Sequence, residues 1–162
     1  MTLARPAAIV VTAVACLACA PAGAVDCAVS VSGVAFGVYD PTIATATDAV
    51  GAVSVRCFHT GGGASRASYA IALSAGNSGA FGQRQLRAGP ARLNYNLFSG
   101  ATRAQVWGDG TQGSVTVGGS LLVNPGSLSS NGAVHPVYGR IPAQQPASTG
   151  SYSDAILITL TF

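Results

Sequence analysis

The chain closes on an alternation that fixes much of what it can become. Ile156, Ile158, Leu160 and Phe162 alternate with Leu157, Thr159 and Thr161. A repeat of two puts successive side chains on opposite faces of an extended strand, here with one face apolar. Residues 155–162 are therefore predicted as a half-buried strand, and no charge follows Asp154. An apolar strand at a sheet edge leaves a row of backbone groups unpaired, and proteins normally cover or charge such an edge. The expected cover is another polypeptide, which points to assembly.

The same alternation recurs upstream in short runs. Cys27, Val29 and Val31 share one face, as do Val53, Val55 and Cys57. Tyr69, Ile71 and Leu73 alternate within residues 68–74, and Leu93, Tyr95 and Leu97 within 92–98. Val115 and Val117 form a further run, and residues 137–141 a short one. Between them lie strong turn formers: GGG at 61–63, GNSG at 76–79, NPG at 124–126 and Asn131-Gly132. Many short strands with frequent turns predict an all-β domain built as a β-sandwich.

The first residues set the compartment. Arg5 precedes a small, apolar run over residues 7–20. That run is shorter than the roughly 18 residues a spanning helix needs. Ala22-Gly23-Ala24 then supplies a small-x-small cleavage pattern. The pattern predicts a secretory signal peptide at 1–24 and one domain at 25–162, with no membrane span in the mature chain. Cys16 and Cys19 leave with the signal. Cys27 and Cys57 remain and read as one disulfide in an oxidising compartment, the alternative being two free buried thiols.

Charge and motifs narrow the function by exclusion. There is no Lys and no Glu, and without Arg5 seven arginines face five aspartates. Arg56, Arg66, Arg84, Arg87, Arg92, Arg103 and Arg140 are scattered and read as solvated strand faces and loops. A nucleic-acid binder would show a denser basic stripe, so no nucleic-acid partner is expected. Residues 108–113 (GDGTQG) fit a dinucleotide fingerprint, but a strand-like SVTV follows where the fingerprint needs a helix. Asp109-Gly110 reads instead as a hairpin turn. His59 and His135 are the only histidines, sit beside turn residues and read as surface groups. Without Glu, a glycosidase would have to pair Asp109 with Asp154, both in contexts ordinary for Asp. No catalytic residue, cofactor or metal is expected. Trp107 reads as a core residue or loop anchor, with sugar stacking as its alternative.

Taken in order, the motifs carry a resemblance. They are CAVSVSGVAFGVYDP at 27–41, GAVSVRC at 51–57, YAIALSAG at 69–76 and LNYNL at 93–97. VWGDGT at 106–111, YGRIPAQ at 138–144 and GSYSD at 150–154 complete the set, ahead of the final strand. The chain resembles the spore coat protein U domain family, which includes subunits of archaic, Csu-type chaperone–usher pili and secreted coat proteins. The resemblance implies an immunoglobulin-like sandwich lacking its last strand. A periplasmic chaperone would fill the gap first. The N-terminal extension of a neighbouring subunit would then replace it at an outer-membrane usher, a form of strand addition. Val29 and Val31 of the first strand, with Ile156, Ile158, Leu160 and Phe162 of the last, are expected to flank the groove. The implied protein is a non-enzymatic structural or adhesive subunit, exported through the periplasm to a surface pilus or the medium. Polymerising relatives carry an alternating donor segment ahead of the first cysteine. Only Val25 and Asp26 would precede Cys27 here, so an acceptor-only tip or minor subunit is expected. The alternatives are a non-polymerising secreted coat or matrix protein and a secreted carbohydrate-binding module.

Overall fold

Each alternating run has one apolar side, and two sheets bury those sides against each other. The computed structural model describes residues 25–59, 62–125 and 132–162. The predicted signal peptide, 1–24, lies outside the described residues, as do parts of the 61–63, 124–126 and 131–132 turns. The strands are β1 (Val25–Ser32), β2 (Thr47–His59), β3 (Ser65–Leu73), β4 (Arg84–Ala88), β5 (Ala91–Phe98), β6 (Val117–Val123), β7 (Gly132–Ile141) and β8 (Ile158–Thr161). One sheet has the order β1-β2-β7-β5-β4 and the other β6-β3-β8, with every ladder antiparallel. The described residues hold no α-helix, only a 3-10 turn at Gly76–Ser78. The architecture is the two-sheet, all-β sandwich that the alternation predicts.

The core is built from the inward rows. Val53, Val55 and Cys57 of β2 meet Val137 and Ile141 of β7 and Leu93, Tyr95 and Leu97 of β5. Ala67, Tyr69, Ile71 and Leu73 of β3 close it from the other sheet. Cys27 and Cys57 are direct partners in the β1–β2 ladder and form a disulfide, Cα–Cα 4.0 Å. Cross-linking across 30 residues stabilises by roughly 3–4 kcal/mol through the unfolded chain. It also pins the edge strand β1 to β2.

Beyond β1 the chain does not turn back along the sheet. Residues 33–39 cross its inner face, and two glycines make room. A Cβ on Gly51 would lie 2.5 Å from the Ser32 carbonyl oxygen, and one on Gly139 would lie 2.7 Å from both Val34 and Phe36. Phe36 packs edge-on against Tyr95, ring centroids 5.9 Å apart. The Tyr39 hydroxyl donates to the Pro142 carbonyl at 3.0 Å and accepts from the Gln145 N–H at 2.8 Å.

Several sequence expectations need correction. The final strand is shorter than 155–162: only Ile158–Thr161 ladders with β3. Upstream, Ser153 exchanges both backbone hydrogen bonds with Arg87 of β4, in the other sheet. The chain must cross between layers in the few residues between. Val115 does not share a strand with Val117; it bridges Trp107, and the bridge is parallel. Asp109-Gly110 is therefore no antiparallel hairpin. Its loop is held by the Asp109 carboxylate, which accepts from the Thr111 N–H at 2.9 Å and its hydroxyl at 2.7 Å. Strand β4 has no apolar alternation and was not predicted.

Arg84 departs furthest from expectation, being fully buried rather than solvated. Its guanidinium donates to the carbonyls of Ser74 (2.8 Å) and Trp107 (2.7 Å) and to the Asn96 side-chain oxygen (2.8 Å), with the Phe81 ring 5.4 Å away. Burial lowers its proton affinity, partly offset by Tyr95 and Asp154. A spread of carbonyl acceptors takes the place of a direct carboxylate partner, as a buried cation requires. Trp107 is also fully buried, its indole N–H on the Ile71 carbonyl at 3.0 Å. It anchors a loop and has no face for a sugar. His135 is not a surface group but sits within β7 and bonds Tyr69 of the facing sheet, Nε2 to hydroxyl 2.8 Å. His59 ends β2, half-buried.

Candidate functional site

The site is an open trough in the second layer, beside β8. On one side β8 ladders with β3, and no described strand joins its other edge. Across the trough lie residues 33–39, which make no backbone hydrogen bond to any other described residue. Buried backbone groups are almost always paired. Here one wall is a half-exposed segment whose backbone groups bond no other described residue, and the other is the free edge of β8. Five-stranded-sheet residues, among them Val53, Val137, Leu97 and Tyr95, form the floor.

The trough has two clefts. The first, about 260 Å³, lies between Val31 and Ile158 and is apolar apart from Ser32, Asp154 and the Tyr95 hydroxyl. The second, about 850 Å³, runs between residues 34–41 and 147–154 and has Ser148, Thr149, Ser151 and Ser153 along one rim. Val34, Phe36, Leu86 and Asp154 line both. Asp154 is the only charged residue on either lining. Its Oδ1 accepts from the Asn77 and Ala155 N–H groups at 2.9 and 2.8 Å, and its Oδ2 from the Tyr95 hydroxyl at 2.7 Å. Burial, and then the hydrogen bond to Asp154, push the Tyr95 hydroxyl far above its ordinary pKa, so it stays a donor.

The sequence-predicted groove residues are placed as follows. Val31, Ile156 and Ile158 line the first cleft. Val29 points to the core side of β1, opposite Val55 in the ladder, and is 39% exposed; Val31, opposite Val53, is 55% exposed. Leu160 is half-buried against the core beside Ile71, and Phe162 is 55% exposed beyond the end of β8. Neither they nor Val29 line the clefts. Sequence reasoning missed the wall formed by residues 33–39 and the contributions of Leu86, Tyr95 and Asp154. Val34, Phe36 and Val38 alternate as well, but Gly33 shifts them by one residue from the row of Cys27, Val29 and Val31; that break, with the glycines at 51 and 139 that admit the segment, marks the crossing.

The chain matches the Spore Coat Protein U domain over residues 13–159, and it belongs to that family. The match begins upstream of the domain start predicted at Val25. The chain is 28% identical over 134 residues to Protein U of Myxococcus xanthus, covering 78% of this chain and 70% of that protein. Among solved structures it superposes on a chain of the CsuC–CsuE chaperone–tip adhesion subunit pre-assembly complex, from archaic chaperone–usher Csu pili of Acinetobacter baumannii. The TM-score is 0.55 at 20% identity, over 86% of this chain and 40% of that one. This chain thus spans about two fifths of the length of its structural neighbour. The shared feature is the fold, an immunoglobulin-like sandwich.

Proposed function

We propose that the mature chain is a secreted structural or adhesive subunit of a chaperone–usher pilus, completed by a strand from another polypeptide. The observation that carries this reading is the trough itself: the free edge of β8 faces a segment, 33–39, whose backbone bonds no other described residue, above an apolar floor. A strand laid between them supplies the missing hydrogen bonds and covers the core-facing side chains, which is strand addition. Four or five inserted side chains at about 1.5–3 kcal/mol each give a gross gain of order ten kcal/mol. Such a contact breaks slowly. The structural neighbour, a chaperone–tip subunit complex, supports a periplasmic chaperone as first occupant. A neighbouring subunit follows at the outer-membrane usher, on the way to the cell surface. The acceptor-only role expected from the short stretch before Cys27 belongs to the same proposal.

The test is co-purification from the periplasm with an immunoglobulin-like chaperone. Ile158→Asp places an unpaired charge on the wall of the first cleft, a costly substitution in an apolar site. It should abolish chaperone binding and surface display. A wild-type chain that is a soluble, cooperative monomer indifferent to chaperone contradicts the proposal. For the acceptor-only role, the protein alone should form no fibres. Adding an alternating segment of about ten residues before Cys27, enough to span a strand of this kind, should permit them.

A second reading, a secreted coat protein that does not polymerise, draws on the similarity to Protein U. Long-lived association with a chaperone and other subunits separates it from the first.

A further inference from the structure

Between Ser153, which pairs with β4, and Ile158, where β8 begins, the chain changes sheets, and two side chains guide it across. Ser74 and Leu157 stand opposite each other in continuation of the β3–β8 register, and the Ser74 N–H donates to the Leu157 carbonyl at 2.9 Å. In an antiparallel pair of this kind the Ser74 carbonyl would receive the Leu157 N–H in return. That carbonyl is spent on Arg84, accepting from Nε at 3.1 Å and from a terminal nitrogen at 2.8 Å. The Leu157 N–H goes to the Ser74 hydroxyl instead, at 2.9 Å. Two residues earlier the Ala155 N–H goes to Asp154 Oδ1 at 2.8 Å, and the same oxygen accepts the Asn77 N–H at 2.9 Å. The Arg87 side chain donates to the Asn77 carbonyl, and its backbone exchanges both hydrogen bonds with Ser153. Ser153, Arg87, Asn77 and Asp154 thus form a closed circuit. Gly76 admits it: its φ is +65°, and a Cβ there would collide with the Asp154 carboxylate.

The bonding alternates along the crossing. The N–H groups of Ser153, Ala155 and Leu157 are all bonded. Those of Asp154 and Ile156 bond no described residue. In β8 the same alternation leaves the backbone groups of Ile158 and Leu160 on the free edge. We propose that Ser74 and Asp154 are positioning residues that extend the accepting edge from β8 back to Asp154 and set it in place before any partner strand arrives. The proposal rests on the strand-accepting reading above and fixes the partner's reach. From Asp154 to Leu160 the edge measures about 20 Å at 3.3 Å per residue. An edge already set lowers the ordering cost of binding, so the two side chains act on association.

The probe is a synthetic ten-residue peptide of alternating valine and threonine, flanked by lysines for solubility. It is mixed with the mature protein directly after dilution from denaturant, and the association rate is read. Ser74→Ala and Asp154→Ala should each slow association roughly tenfold, the worth of one hydrogen bond. Ser74→Thr and Asp154→Asn keep an acceptor oxygen at each point and should stay within about twofold of wild type. Val55→Ala, a core truncation away from the crossing, should lower stability without slowing association. Amide exchange in the free protein is the second reading: Asp154→Ala should expose the Asn77 and Ala155 amides, and Ser74→Ala the Leu157 amide. Should either truncation fail to fold, the other carries the test. Truncations that associate as fast as wild type, conservative variants as slow as the truncations, or a Val55→Ala chain slowed as much, overturn the proposal. Unchanged exchange at those three amides does so as well. If the wild type takes up no peptide while the amides respond as expected, the strand-accepting reading is what fails.

Discussion

Strands β3 and β1 carry the same alternating pattern and meet opposite fates. The inward residues of β3 are enclosed: Ala67 and Tyr69 are 6% exposed, Ile71 0% and Leu73 1%. The inward residues of β1 open progressively, to 39% at Val29 and 55% at Val31. Their ladder partners Val55 and Val53 are fully buried on the same face of the same sheet. Residue type does not separate β1 from β2, since these four residues are all valines. Neighbours do: β2 lies between β1 and β7 and β3 between β6 and β8, whereas β1 has only β2, and the chain beyond it crosses away. An alternating pattern states which face wants burial. It does not state whether the molecule supplies the cover, and the difference between these strands locates where it does not.

The comparison can be broken hardest on its closed side. Arg84→Met keeps much of the volume but strands the Ser74 and Trp107 carbonyls, while the Asn96 side-chain oxygen keeps only its bond from the Leu97 N–H. Each stranded buried acceptor costs about 1–3 kcal/mol, so a loss of roughly 4 kcal/mol is expected by denaturant titration of the strand-complemented protein. Next comes the pin at the root of the open side. Replacing Cys27 and Cys57 together by Ala should cost roughly 3–4 kcal/mol, and should also loosen β1 from β2.

The comparison is sharpened by a matched pair of small truncations. Val55→Ala removes two enclosed methyl groups and should cost about 2 kcal/mol whether or not a strand is bound. Val31→Ala, its neighbour on the same face, should cost under about 0.5 kcal/mol in the empty protein. With a donor peptide bound, the Val31 penalty should climb toward that of Val55. Equal penalties in the empty protein would show that the open side is already closed.

The smallest effect is a pH dependence across the closed side. Burial lowers the proton affinity of His135, which bonds Tyr69 between the sheets. The unfolded chain takes up the proton first, so stability is complete above the ordinary histidine pKa of 6.5 and declines as pH falls below it toward the depressed folded value. Denaturation at pH 7.5 and 5.5 should show a modest decline that His135→Gln removes.

Much of the fold was legible because half-buried antiparallel strands write their inward face into the sequence at every second residue. β2, β3 and β5 are long enough for that signal to stand alone. Strand β4 was not legible because its one fully buried residue is an arginine beside the single large apolar residue Leu86, and nothing local distinguishes a buried guanidinium from a solvated one. The difference lies in Ser74, Asn96 and Trp107, which are brought together only by folding. The trough was half legible for a related reason. Ile156 and Ile158 declare themselves by alternation, but the opposite wall alternates out of register with β1 and its path over the sheet depends on Gly51 and Gly139, distant in sequence. Asp154 looked like an ordinary turn aspartate; its place on both cleft linings follows from the crossing between sheets after Ser153.

Between residues 33–39 and the free edge of β8 no described strand of this chain lies, and we propose that a strand from another polypeptide enters there. Amide hydrogen exchange, measured residue by residue with and without a bound donor peptide or chaperone, tests it most directly. Exchange should be fast across 33–39 in the free protein, with strong new protection there and along residues 156–161 on complementation, and little change in β2 and β7. Protection of 33–39 already present in the free protein, or complementation that leaves those amides exchanging as before, would contradict it.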